Sequence, residues 1–76
     1  MKLQMERANA DYKARMVEAL RLLIKTFYAV NLINRLDGGV TMVIVDDSAT
    51  RYVYEAETLE HVIERAARRH TTFFDR

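Results

Sequence analysis

The stretch MVEALRLLIKTFYAVNLINRL, from Met16 to Leu36, decides how the rest of the chain is read. Taken as one helix at about 100° per residue, it places Leu20, Leu23, Phe27 and Val30 on one apolar stripe. Leu22, Ala29, Ile33 and Leu36 form a second stripe, roughly a third of a turn away. One stripe can cover the domain's own sheet, so the other calls for a further surface. A hairpin and a three-turn helix from the same chain offer little area for about 240° of apolar circumference, which favours a second copy. Met16, Leu20, Leu23, Phe27, Val30 and Asn34 follow the alternating four-and-three spacing of a coiled-coil seam, with Asn34 placed to fix register. The spacing therefore predicts a helix over about residues 4–36 and a homodimer packed helix to helix through those six residues.

Downstream, Asp37-Gly38-Gly39 is the strongest punctuation in a chain without proline. Positive φ at a glycine suits a helix C-terminus followed by a reversal. Next come VTMVIV (Val40 to Val45) and TRYVYEA (Thr50 to Ala56), rich in β-branched and aromatic residues and separated by Asp46-Asp47-Ser48-Ala49. They predict a two-stranded antiparallel hairpin over about residues 40–56. If Val45 pairs with Thr50, Val43 faces Tyr52 and Thr41 faces Tyr54 on one side, with Met42, Ile44 and Val53 on the other.

Thr58 is placed as an N-cap, and Leu59, Val62, Ile63, Ala66 and Ala67 repeat as one buried helical face, so a second helix is expected over about 58–69. The tail, 70–76, carries Phe73-Phe74, which either folds back onto the core or waits for a partner. The expected fold is α+β, a single α-β-β-α domain over residues 1–76.

A 76-residue chain buries only about 60% of the surface its unfolded form exposes, and it has no cysteine for a staple. Association is then the expected route to stability. The lack of cysteine also removes disulfides and thiolate chemistry and suits a cytoplasmic location. The longest uncharged run, Thr26 to Asn34, is far short of the roughly 20 residues of a bilayer span, and no cleavable signal pattern opens the chain. No membrane partner is expected.

Net charge is +1, unevenly placed. Residues 1–36 carry seven Lys or Arg against three acids, whereas residues 37–57 carry Arg51 against Asp37, Asp46, Asp47, Glu55 and Glu57. The acidic segment is the one least needed for helix packing. Asp46, Asp47, Arg51, Tyr52, Tyr54, Glu55 and Glu57 are accordingly the expected partner-binding residues, offered to a basic groove on a larger protein.

Other constellations carry less. His61 and His70 are nine residues apart, not the four that set two ligands on one helical face, so no metal and no cofactor are expected. Asp46-Asp47-Ser48 lacks the alternating oxygen ligands of a calcium loop, and Gly38-Gly39 lacks the Lys-Ser or Lys-Thr of a phosphate loop. Arg65, Arg68, Arg69 and His70 form a basic cluster that gives nucleic acid as an alternative ligand, although basic residues also gather at helix C-termini for dipole reasons.

The strand-to-helix junction TRYVYEAETLEHVIERAA resembles two kinds of small phage protein. In Tyr52, Val53 and Tyr54 followed by Thr58, Leu59 and Ile63 it resembles the head-tail joining proteins of the lambda W type. In Ala56-Glu57-Thr58-Leu59 it is similar to small phage inhibitors of bacterial RNA polymerase. The first helix is longer than the W type has, and HTTFFDR replaces its basic tail. The resemblances imply a phage or mobile-element product that works by binding: an inhibitor or adaptor that blocks a larger host protein, or else a virion connector. No enzyme activity is expected.

Overall fold

The computed structural model describes residues 2–75, with side chains from Ala10 onward. Helix α1 spans Lys2–Thr26, strands β1, β2 and β3 span Ala29–Asn34, Val40–Val45 and Arg51–Ala56, and helix α2 spans Leu59–His70. The strands form an antiparallel sheet in the order β1-β2-β3. The fold is α+β, a helix, a three-stranded antiparallel sheet and a helix.

The expected helix to Leu36 is therefore corrected: it stops at Thr26, and the residues that continued its stripes are a strand. The Thr26 hydroxyl donates to the Leu22 carbonyl at 2.6 Å, and the Phe27 N–H closes the last turn on Leu23. Beyond it, Ala29 to Asn34 pair residue for residue with β2, from Ala29 opposite Val45 to Asn34 opposite Val40. In a two-stranded hairpin β2 would keep a row of unpaired backbone groups along its other edge; β1 supplies their partners. That long-range pairing outweighs local helix propensity in a segment containing two asparagines and two β-branched residues. Asp37-Gly38-Gly39 could not have discriminated, because a helix cap and a hairpin turn both use positive φ at glycine, here +94° at Gly38.

Both hairpins use the same device. The Arg35 N–H donates to the Gly39 carbonyl and the Gly38 N–H to the Arg35 carbonyl, leaving a three-residue loop with Gly38 left-handed. The Asp46 N–H likewise donates to the Thr50 carbonyl and the Ala49 N–H to the Asp46 carbonyl, with Ala49 at φ +66°. The second loop is one residue shorter than expected, so Val45 pairs with Arg51, Val43 with Val53 and Thr41 with Glu55. Slipping a strand by one residue exchanges its faces. The expected register is thus corrected: Tyr52 and Tyr54 lie opposite Ile44 and Met42 on the core side, and Val53 lies on the other side.

The core gathers Met16, Ala19 and Leu23 of α1, Val40, Met42 and Ile44 of β2, and Val62, Ile63, Ala66 and Ala67 of α2. Three alanines let the helices approach each other and the sheet closely, while Leu23, Met42, Ile44 and Val62 fill the space. Both helices thus share one face of the sheet. Thr58 caps α2, its hydroxyl accepting from the His61 N–H at 3.2 Å. The tail folds back: Phe73 and Phe74 pack against the core with their rings 5.0 Å apart, and the Arg15 and Arg68 guanidiniums lie over them.

The coiled-coil seam does not exist as a helical face. Met16 and Leu23 are buried in the chain's own core, Leu20 and Phe27 pack against it, and Val30 and Asn34 belong to β1. No described helix is long and apolar enough to cross a membrane.

Ala49 holds a backbone conformation that costs an L-residue on the order of 1 kcal/mol, so Ala49→Gly is expected to stabilise by about that much, a rise of roughly 4–8 °C in melting temperature. Gly38→Ala should lose a similar amount through the backbone alone, since nothing lies within 4 Å of the added Cβ. Calorimetry of the two variants checks both signs. Leu23→Ala, which empties a fully buried site, should cost about 2–5 kcal/mol in urea unfolding.

Candidate interaction surfaces

The residues expected to bind a partner are divided among three places. Asp46 and Asp47 lie in the β2–β3 turn, and Asp46 Oδ1 accepts the Ser48 and Thr50 N–H groups at 2.9 Å each, so this carboxylate builds the turn. Tyr52 and Tyr54 point to the core side and are half-buried. Arg51 and Glu55 are exposed on the opposite side, and Glu57 is exposed just beyond β3.

The tyrosines join a cluster that sequence reasoning missed. The His70 ring stands edge-on to Phe27, Tyr52 and Tyr54, with centroids 5.0, 4.6 and 5.7 Å away. Its Nε2 is 2.5 Å from the Tyr54 hydroxyl, while the Tyr52 hydroxyl donates to Asp46 at 3.4 Å. Burial, then the charge of Arg69, lowers the His70 pKa from its usual value, with Asp46 acting in the other direction. Burial also raises that of Tyr54. A neutral imidazole fits this setting, because protonation would place a charge among aromatic rings.

At the opposite end of the sheet is a charged corner. The Arg35 guanidinium grips Asp37, with Nε 3.1 Å from Oδ1, and reaches Glu55 at 3.4 Å. It lies across Gly39: a Cβ there would sit 3.1 Å from both the guanidinium carbon and the Ala56 carbonyl oxygen, so glycine makes room for the arginine. Asp37 also accepts the Gly39 N–H at 3.0 Å. The Arg35 hydrogen bond, then that N–H, holds the Asp37 carboxyl down to about 2.

From this corner an open cleft of about 890 Å³ runs to α2, lined at the sheet end by Glu55, Ala56 and Glu57 and on the helix by His61, Glu64, Arg65 and Arg68. Arg68 is paired with Glu64 at 2.8 Å, and Glu64 also accepts the Tyr12 hydroxyl at 3.1 Å, tying α2 to α1. Those bonds, led by Arg68, lower the Glu64 pKa.

Of the alternative nucleic-acid cluster, Arg65 and Arg68 share the cleft and His70 is turned away from it. Arg65 lines the cleft, Arg68 is held by Glu64 and Phe74, His70 turns into the aromatic cluster, and Arg69 is exposed. Among the described residues, no group of three or more His, Cys, Asp or Glu could hold a metal ion.

The third surface is the outer face of the sheet, away from both helices. Its side chains form three cross-strand rows: Ala29, Val45 and Arg51; Asn31, Val43 and Val53; Ile33, Thr41 and Glu55. Val53 is 58% exposed and Ile33 51%. The segment AVNLIN carries no strict apolar-polar alternation, so no strand period disclosed the row in β1. No family model matches the chain, and no curated protein or solved structure is significantly similar to it.

The His70 cluster sets a pH dependence. Its folded pKa lies below the unfolded value of 6.5, so over that interval the unfolded chain binds more protons and stability falls as pH is lowered. Urea midpoints measured at about pH 7.5 and about pH 5.5 should fall in the native chain and fall less in His70→Phe. Asp37 and Glu64, whose pKa values are lowered, add a second loss as the pH drops below the ordinary carboxylate range and, for Asp37, on towards about 2.

Proposed function

We propose that the chain is a non-enzymatic protein-interaction module of the cytoplasm, a phage or mobile-element inhibitor or adaptor that occupies a site on a larger host protein. The observation that carries this reading is the mixed-charge corner where β3 passes into α2: an open cleft there is lined by exposed Glu57, by Arg65 and Arg68 of α2, and at its far rim by Glu55. It occupies the junction that resembles the small phage inhibitors, with Ala56 ending the strand, Thr58 capping and Leu59 opening the helix.

The partner segment that fits carries both signs. A basic side chain would meet Glu57, and an acidic one would meet Arg65, which has no ion pair among the described residues. A polyanion fits less well, because four carboxylates, Asp37, Glu55, Glu57 and Glu64, line the same cleft and two of its arginines are already paired. Such a module blocks by occupation, with charge governing encounter and packing governing residence.

Immobilised protein should capture a discrete protein from bacterial lysate, and Glu57→Lys combined with Arg65→Glu should weaken that capture by about tenfold or more, roughly 1.4 kcal/mol, with an altered salt dependence. Both residues are exposed, so circular dichroism should be unchanged. Undiminished capture by the double variant would remove the corner from the site.

A further inference from the structure

The outer face of the sheet is self-complementary, and we infer that a second copy of this chain docks on it through a two-fold axis running across the strands at the level of Val43 and Val53. The register supplies the reason. An axis on the middle row lays Val53 on Val53 and Val43 on Val43, and exchanges the other two rows. Arg51 of each copy then meets Glu55 of the other, and the small Ala29 meets the larger Ile33.

The turn residue Asp47 approaches the position of Gly39, over which the Arg35 guanidinium lies. Arg51 and Glu55, the charged residues of the two outer rows, thereby meet with opposite sign at both ends of the face. An axis along the strands would instead set Arg51 on Ala29 and Glu55 on Ile33, covering charge with hydrocarbon. In the single chain, Glu55 touches Arg35 only at 3.4 Å with its side chain 62% exposed, and with Asp37 beside it the corner keeps a net negative charge for Arg51 of the other copy.

The interface is small. Three strands of six residues make a face of about 20 Å by about 14 Å, well below the roughly 800 Å² per partner of a standard interface even with the turns added, so a weak, concentration-dependent dimer follows rather than an obligate one. The arrangement replaces the helix-to-helix dimer that the sequence suggests, and it does not depend on a host partner. It also covers the exposed Val53 and Ile33, which helix packing would leave in water.

Sedimentation equilibrium over a concentration series tests the pairing. The native chain should approach twice its 8.9 kDa mass as its concentration rises through hundreds of micromolar. Val53→Asp, which sets two carboxylates against each other on the axis at an exposed position, should weaken association at least about tenfold with circular dichroism unchanged. Arg51→Glu and Glu55→Arg should each weaken it by like-charge contact, and the double variant Arg51→Glu with Glu55→Arg should restore it, because the cross-copy pairs return with signs exchanged. A native monomer over the whole range overturns the inference. So does a double variant no better than the singles, and so does a dimer indifferent to Val53→Asp, which would place the second copy on the free edge of β1 or on the helices.

Discussion

Register on β2 is the constraint on which everything else in this molecule depends. The strand is apolar on every position but Thr41, so its own sequence does not say which side is core. The two three-residue turns decide it. With Arg35 bonded to Gly39 and Asp46 to Thr50, Val40, Met42 and Ile44 share a side with Tyr52 and Tyr54 and receive both helices. One residue more in either loop would turn one flanking strand inside out, carrying Asn31 of β1, or Arg51 and Glu55 of β3, into the core. The Asp46 carboxylate and the left-handed Ala49 and Gly38 therefore specify the faces of the sheet as much as the apolar residues do.

The surfaces follow from that choice. The core side tapers at the edge of the helices into the half-buried His70 aromatic cluster. The outer side keeps valines in the middle and opposite charges at its ends. The corner at the β1–β2 turn belongs to both, since Arg35 reaches from the first strand across Gly39 to Glu55 on the third. That charge network bridges β1 and β3 at the end of the sheet from which β3 leaves for α2.

Legibility varied with how local each cause was. Helix α2 was fully legible, cap included, because Thr58, the 59-62-63-66-67 spacing and the C-terminal arginines act within a few turns. The strands β2 and β3 were legible from their β-branched and aromatic content. Strand β1 was not, because six residues continued a helical period by chance, and the decisive force is pairing with residues later in the chain. The binding residues expected on the hairpin inherited the register error: the tyrosines went to the core side, while Arg51 and Glu55 kept company with Val53. Arg35, Asp37 and Glu64 were missed as site residues because what unites them is a turn and a cleft, neither of which has a spacing signature. The fold class survived these errors, since exchanging a helix end for a strand keeps Leu20, Leu23, Phe27 and Val30 at the core while Ile33 and Leu36 of the second stripe stay exposed.

The placement of β2 has a consequence for cooperativity. It lies midway along the chain and midway across the sheet, while the helices that cover it come from opposite ends of the sequence. Neither contiguous half holds a closed core: α1, β1 and β2 lack the alanine face of α2, and β3 with α2 lacks Met42, Ile44 and Leu23. The Tyr12 to Glu64 bond, spanning 52 residues, closes the molecule end to end. Neither half therefore offers a closed core that could remain when the other opens, the arrangement that in small domains goes with unfolding in a single transition.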